Sequence, residues 1–236
     1  MKTKNIILAC ILFFPLILQG QSIKREALAD QLLSLNEQNT VIKDISVDAR
    51  DNWIILYDRN SVSYNFIPVN MQKTLDRLRK ENKDIKQVEL LGNGGWFIRW
   101  GNNGFAGEKI PPKMAKYLIR LNKRHQRIID ADIALPGWTI IYSPGKIAAE
   151  NIPVSLSREI NKLAQNHKRI KEIAFIGNRW IILFGEKGFV SNNVDDQLNR
   201  NLKEIIKSGS KVNFVKLLPG GTWIIVYNDN EFIMSE

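Results

Sequence analysis

The chain has 236 residues, of which 44% are hydrophobic and 25% are charged, and its formal net charge at pH 7 is +10. The single cysteine, Cys10, stands near the N-terminus, so the rest of the chain can form neither a disulfide bond nor a thiolate metal site. The excess of Lys and Arg favours acidic partners.

Residues 1–22 are typical of a secretory signal peptide. Lys2 and Lys4 precede a continuous apolar run over 6–18, and small residues follow at Gly20 and Ser22. The run is shorter than the roughly 20 residues that a transmembrane helix needs, so a retained membrane anchor is the weaker alternative. Export to the periplasm or the extracellular space is predicted, with no transmembrane segment after signal removal.

A tryptophan recurs through the chain at a nearly constant interval. The steps between successive members of the series are 43, 42, 42 and 43 residues. A fixed period in this range is typical of a tandem array of supersecondary units, each too small to bury a core alone. The sequence therefore predicts five units, each with one core tryptophan. The five are Trp53, Trp96, Trp138, Trp180 and Trp223.

Each unit is predicted to begin with an amphipathic helix. Leu28, Leu32 and Leu35 have helical spacing and mark one buried face, and the same apolar spacing recurs before every later tryptophan. In the four later units a proline or an aspartate precedes this pattern, and either residue suits the first turn of a helix. These residues are Pro68, Pro111, Pro153 and Asp195.

Three strands are predicted to follow each helix. An alternating stretch such as IKQVELL from Ile85 predicts a first strand with one buried face, and a turn joins it to the tryptophan strand. The tryptophan strands are apolar on both faces, as expected for a strand covered on two sides. After a polar turn, a returning apolar residue predicts a third strand and a further core position. The returning residues are Val62, Phe105, Ile147, Phe189 and Phe232.

The predicted fold is an α+β repeat protein of five helix-strand-strand-strand units with antiparallel three-stranded meanders. An open solenoid would need polar terminal caps, yet the first helix is amphipathic and the last unit ends with Phe232, Ile233 and Met234. Closure into a propeller-like toroid is therefore favoured, with an open α/β solenoid as the alternative. The single repeat domain, 23–236, divides into units at about 23–66, 67–109, 110–151, 152–193 and 194–236.

The repeat resembles one found in uncharacterised exported bacterial proteins. Its pattern is Gly-Gly-Trp, two hydrophobic residues, an aromatic residue, Gly-Asn-Asn-Gly and a second aromatic residue, followed by Ile-Pro and a Leu-rich helix. The pattern is clearest over 94–111 and weaker in the last unit. This resemblance implies the tandem repeat and secretion, and it implies no activity.

Sequence motifs for catalysis and cofactor binding do not appear. No Gly-x-Ser-x-Gly elbow, zinc-binding His-Glu-x-x-His motif, Walker motif or dinucleotide glycine pattern occurs. His125 and His167 stand at equivalent positions near helix C-termini, where a cation complements the helix dipole, so a surface position is favoured over a metal-binding role. Neither a cofactor nor a metal is predicted.

Carboxylates recur on the face of the first strands opposite their apolar residues. If the units close, equivalent positions surround one axis and these side chains converge. Paired carboxylates are what glycoside hydrolysis requires, so a carbohydrate-active site, or a site for a cation or a sugar, is one hypothesis. Alternation alone puts polar residues on any solvated face, and this simpler interpretation is favoured. The residues are Asp44, Glu89, Asp130, Asp132 and Glu172.

Basic residues gather near the helix C-termini. Because the units repeat, these residues should form a positive band that attracts phosphate or sulfate groups, although helix dipoles explain them without a partner. The residues are Arg77, Arg79, Lys80, Arg120, Lys123, Arg124, Lys168 and Arg169.

The favoured function is that of a non-catalytic exported scaffold. Its partner would be an envelope protein or an anionic glycan or lipid, and nucleic acid is disfavoured by the predicted compartment. A carbohydrate-active enzyme that uses the first-strand carboxylates is the second hypothesis. A structural module that forms oligomers is the third.

Overall fold

The computed structural model describes residues 19–143 and 145–235. Most of the predicted signal peptide, including Cys10, lies outside the described residues. Among those that are described, no helix has the length and the apolar character that crossing a bilayer requires. The described chain consists of five similar units, each made of one helix and three strands.

The helices form where apolar residues repeat at helical spacing, and these residues are buried in each of them. The predicted helix-start residues differ slightly from expectation: Pro68, Pro111, Pro153 and Asp195 occupy the N-cap, one residue before the first helical turn. Proline fits this position because the backbone there is extended and needs no intrahelical N–H bond. The helices are α1 (Gln19–Glu37), α2 (Val69–Lys80), α3 (Pro112–Lys123), α4 (Val154–Gln165) and α5 (Asp196–Lys207).

The strands form five separate antiparallel sheets, one per unit, in which the tryptophan strand lies in the middle. The first strands are β1 (Ile42–Val47), β4 (Ile85–Leu90), β7 (Ile128–Ala134), β10 (Ile170–Ile176) and β13 (Val212–Leu217). The middle strands are β2 (Trp53–Tyr57), β5 (Trp96–Trp100), β8 (Gly137–Tyr142), β11 (Arg179–Phe184) and β14 (Trp223–Tyr227). The third strands are β3 (Ser61–Tyr64), β6 (Gly104–Glu108), β9 (Lys146–Glu150), β12 (Gly188–Asn192) and β15 (Glu231–Met234).

A β-bulge interrupts every first strand at its second residue. In β4 the register with β5 shifts between Ile85 and Gln87, and the other four units have the same shift. An extra residue reverses the side-chain alternation, so Ile85 and Val88 both face the core although three positions separate them. Gln87 and Glu89 consequently point to the opposite face.

The hydrophobic core is divided into five clusters, and each cluster lies between neighbouring units. In one of them, Met71 and Leu75 of α2 pack between Ile54 of the preceding sheet and Trp96 of their own. Each cluster contains one of the five tryptophans, and none of these is more than 5% exposed. A helix therefore stabilises two sheets at once, and a single unit does not enclose its own core.

The first unit contacts the last in the same way as neighbouring units contact each other. Leu28 of α1 packs in one cluster with Phe214 and Ile224 of the last sheet. The backbone N–H of Ile42 donates to the carbonyl of Asp229 at 2.8 Å. In units two and three, the equivalent N–H of Ile128 donates to Asn102 at the same distance.

The third-strand residues predicted to be core are only half-buried. Each packs from the sheet edge against the cluster of the following unit, as Phe105 does against the cluster of Trp138. Phe232, in the last unit, packs against the cluster of the first unit. Their half-burial follows from their place on the outermost strand, where only one face of the side chain is covered.

Candidate functional site

The polar side chains of the five first strands converge around one buried ammonium group. Lys216 Nζ of β13 lies 2.8 Å from Asp44 Oδ1 of β1 and 2.9 Å from Glu89 Oε1 of β4. Glu89 Oε2 also accepts a hydrogen bond from Ser46 Oγ at 3.3 Å. A lysine in the last unit thereby joins the first two units, from the far end of the sequence.

Most of the convergent side chains have a structural role that alternation did not reveal. Each first strand is the edge of its sheet, so its outward N–H groups lack a strand partner. Side chains of the preceding unit accept from these groups, as Asp132 Oδ2 does from Phe175 N at 2.9 Å and Glu172 Oε1 does from Val215 N at 3.0 Å. Equivalent bonds join Asp44 to Val88, Ser46 to Leu90, Gln87 to Ala131 and Asp130 to Ile173.

The favoured interpretation of these positions as a solvated face is wrong. Asp44 is 4% exposed and Glu89 is 7% exposed, while Asp130, Asp132 and Glu172 are half-buried. Contact with solvent is reduced because the five edges approach one another and each side chain lies against the next strand. All five carboxylates named from the sequence are brought together.

Glu89 differs from the other carboxylates because its described hydrogen bonds are all to side chains. Its partners are Ser46, Gln87 and Lys216. Burial raises the pKa of Glu89 to about 7, Lys216 opposes this shift, and the charge of Asp44 adds to it. Burial by itself would lower the pKa of Lys216, but attraction by Asp44, Glu89 and Asp132 outweighs it and raises that pKa. Lys216 is therefore a permanent internal cation, and Glu89 titrates near neutral pH.

Asp130, Asp132 and Glu172 also hold their protons more tightly than usual. Burial raises the pKa of Asp130, and it raises the pKa values of Asp132 and Glu172 well above their ordinary range. Repulsion by Glu89 adds to the shift of Asp132, and repulsion by Asp130 adds to that of Glu172. Repulsion between carboxylates therefore adds to the effect of burial at this centre.

A cavity opens on each side of Lys216, and every unit contributes to both. The funnel is a cavity of about 280 Å³ at the C-terminal ends of the first strands. The basic mouth, of about 170 Å³, lies at their N-terminal ends. The polar residues at the base of the funnel are Ser46, Glu89, Asp132 and Lys216. The basic mouth is lined by five cations and three carboxylates. The cations are Lys43, Lys86, Arg99, Lys171 and Lys216, and the carboxylates are Asp44, Asp130 and Glu172.

The predicted basic residues are all exposed and lie at the same end of the units as the basic mouth. Contacts fix this placement: the side chain of Asn103, in the turn after β5, donates to the carbonyl of Asn122 at the end of α3. Lys43, beside the mouth, likewise donates to the carbonyl of Arg59 in the turn after β2. Helix C-termini, turns and strand starts therefore share one surface, the basic face, with the basic mouth at its centre.

The two histidines are also on the surface. His125 and His167 are exposed and follow their helices with φ values of 53° and 54°. The equivalent residue after α5 is Gly209, with φ 88°. The residue at this position therefore ends the helix by adopting a left-handed backbone conformation. Among the described residues, no group of three or more His, Cys, Asp or Glu side chains is placed to hold a metal ion.

Three central residues were absent from the predicted site. They are Lys216, Gln87 and Arg99. Lys216 provides the positive charge that faces the carboxylates. Arg99 donates from Nε to the side-chain oxygen of Gln87 at 3.1 Å and also donates to the carbonyl of Ile128. A signal for Lys216 was present: it occupies the slot that holds Glu89 and Asp132 in other units. Arg99 carried a weaker signal, as the one charged residue in an otherwise apolar middle strand.

The pH dependence of stability should report on Glu89. The pKa of Glu89 is about 7 in the folded protein against an ordinary 4.5, so folding takes up a proton between these values. The associated stability is complete below pH 4.5 and is lost as the pH rises through 7. Urea unfolding of Glu89→Gln and wild type at pH 4.5 and pH 8 should show about 3 kcal/mol less decline in the variant. Exposed Glu186→Gln should keep the wild-type decline, and an equal decline in both Glu89 forms would contradict the assignment.

Comparisons with known proteins add little to this description. No protein-family model matches the chain, and no curated protein matches it. Among solved structures, YCF48 bound to D1 peptide is 10% identical, with a TM-score of 0.25 and 84% of this chain covered. A catalytically inactive virginiamycin B lyase from Staphylococcus aureus with quinupristin is 9% identical, with a TM-score of 0.28 and 81% covered. This chain spans 51% and 64% of those two chains, and likeness at such TM-scores carries no argument about fold or function.

Proposed function

We propose that the five units close into a propeller-like toroid. The support is that the boundary between the first and last units has the same contacts as a boundary between consecutive units. Asn36 and Asn230 exchange side-chain-to-carbonyl hydrogen bonds at 3.1 and 3.4 Å between the first and last units. Asn122 and Asn103 exchange the same two bonds at 3.1 and 3.3 Å between units two and three. An open array would have no reason to repeat this contact across its two ends.

The function that the geometry supports best is non-catalytic binding of an anionic partner on the basic face. The observation that carries this proposal is the gathering of exposed cations from successive units around the basic mouth. Lys43 and Lys86 there share one carboxylate, Asp84, at 2.7 and 2.5 Å, so this pair of lysines keeps one net positive charge. Clustered cations of this kind bind sulfate or phosphate groups with an affinity that depends on salt.

Heparin provides the test of this proposal, because it is a soluble polyanion. The triple variant Arg120→Gln, Lys123→Gln, Arg124→Gln should bind heparin at least about tenfold more weakly than wild type at 0.15 M salt. The control removes three exposed cations from outside the basic face: Arg50→Gln, Lys109→Gln, Lys113→Gln. Equal weakening in both triple variants, or wild-type binding that persists unchanged at 0.5 M salt, would overturn the proposal.

The same variants distinguish the source of the anion. Vesicles that contain anionic phospholipid should compete with heparin if the natural partner is a lipid surface. A sulfated or phosphorylated glycan alone should compete if the partner is an anionic glycan. An acidic envelope protein would present the same chemistry on a folded surface. Export through cleavage of residues 1–22 belongs to this proposal and is tested by N-terminal sequencing of the mature protein.

A carbohydrate-active enzyme is the second candidate, and one observation favours it. Glu89 and Asp132 both line the funnel, and both have raised pKa values. Binding is favoured over catalysis because Asp132 is already engaged by the N–H of Phe175 and Glu89 by Lys216. Hydrolysis of a glycoside that Glu89→Gln abolishes would support the enzyme.

A further inference from the structure

The funnel has the anatomy of a small-ligand site. It is concave, and its size suits one side chain or one small molecule. Every unit contributes an apolar wall residue at the same register, and the polar groups lie at the base. The wall residues are Val47, Leu90, Ile133, Phe175 and Leu217.

The base of the funnel offers no free positive charge to a ligand. Its only lining cation is Lys216, whose Nζ is committed to Asp44 and Glu89. Asp132 has no cationic partner among the described residues. Its Oδ2 accepts from Phe175 N, whereas its Oδ1 accepts no hydrogen bond from them. A carboxylate oxygen therefore remains available below apolar walls.

A positively charged group on an aliphatic chain fits both the carboxylates at the base of the funnel and its apolar walls. An ammonium donates up to three hydrogen bonds and can reach Asp132 and Glu89 together, and its methylene chain would contact the walls. An anion would oppose the ionisation of Asp132 and Glu89, and a neutral alcohol would gain no charge attraction from them. A metal ion is disfavoured because the described residues supply no set of three ligands.

We propose that the funnel binds a primary ammonium group on a short aliphatic chain, with Asp132 as its main acceptor and Glu89 as its second. Either a lysine side chain of a peptide or a free alkylamine provides this chemistry. The site faces away from the basic face, so this inference goes beyond binding of an anionic partner. The toroid would then present two chemically opposite openings.

Binding of the ammonium should release protons. Groups on the neighbouring strands face Glu89: Asp44 from β1, Asp132 from β7 and Lys216 from β13. Burial raises the pKa values of both carboxylates that face the ligand, and that of Glu89 is about 7. An ammonium replaces those protons, so its affinity should rise from pH 6 to pH 8, a range in which the amine itself stays charged.

The first experiment titrates the whole protein with n-hexylamine and with 1-hexanol by calorimetry. Hexylamine should bind at least about tenfold more tightly than hexanol and more tightly at pH 8 than at pH 6. Equal binding of the two compounds, or no gain with pH, would overturn the proposal on wild-type protein alone. A lysine-containing peptide and 1,6-diaminohexane then distinguish the two sources of the amine.

Variants locate the site. Asp132→Asn should weaken hexylamine binding at least about tenfold, and Glu89→Gln should weaken it less and flatten its pH dependence. Exposed Asp196→Asn has the same change in charge on α5 and should leave the affinity within about twofold. Equal affinities in wild type and in folded Asp132→Asn and Glu89→Gln proteins would place the amine elsewhere and overturn the proposal. If Asp132→Asn does not fold, Glu89→Gln decides alone.

Discussion

Replacing Lys216 with methionine is expected to lower the free energy of unfolding by about 3 to 5 kcal/mol, because the change leaves buried carboxylates without their cation. Asp44 and Glu89 lie 2.8 and 2.9 Å from Nζ and are almost completely buried. Methionine has a similar length, so the loss of volume contributes little. Urea unfolding at pH 8, where Glu89 is mostly ionised, measures the effect.

Two controls separate charge from packing. Lys171→Met removes an exposed cation from the bulge position of β10 and should change stability by no more than about 0.5 kcal/mol. Lys216→Met combined with Glu89→Gln should recover part of the loss, because one of the two stranded charges is removed. A loss below about 1 kcal/mol for Lys216→Met would show that the carboxylates do not depend on this lysine.

The repeat could be predicted from the sequence because one large residue recurs at fixed spacing. Trp53 and its equivalents marked the middle strands, and helical spacing such as Leu28, Leu32 and Leu35 marked the buried helix faces. The sharing of each core between two units could not be predicted, because hydrophobic periodicity shows which face is buried and not what covers it. Phe105 shows this sharing, because it packs against the cluster of Trp138 in the following unit.

The candidate site could be predicted as a set of residues but not as a chemical environment. Alternation placed Asp132 and Glu89 on one face, and it gave the same result for a solvated face and a buried one. Two facts were missing. The bulge at Lys86 fixes the register of the polar residues, and neighbouring sheet edges lie close enough for Asp132 to accept from Phe175. Both depend on contacts between units, on which a local pattern carries no information.

The same edge contacts explain how charged residues can lie at the centre of a stable fold. An edge strand with free N–H groups invites pairing with other chains, and burying it unpaired would leave its donors unsatisfied. Here an acceptor from the preceding unit meets the N–H, as Glu172 does for Val215. In the fifth unit, strand β13 instead provides Lys216, whose charge offsets the carboxylates that face it. The arrangement needs all five edges, so the site depends on the closure that we propose.

The closure can be tested with a tryptophan at the end of the chain. Trp223→Ala is expected to lower the free energy of unfolding by about 3 to 5 kcal/mol, because the indole is 1% exposed and fills its cluster. In a closed toroid the last unit contacts both the fourth unit and the first, so unfolding should stay cooperative. Circular dichroism and tryptophan fluorescence should then give coincident urea transitions. Trp138→Ala, in the middle unit, is the matched control and should cost a similar amount. An open array would instead lose its terminal unit first, so a separate early transition in Trp223→Ala that Trp138→Ala lacks would contradict closure.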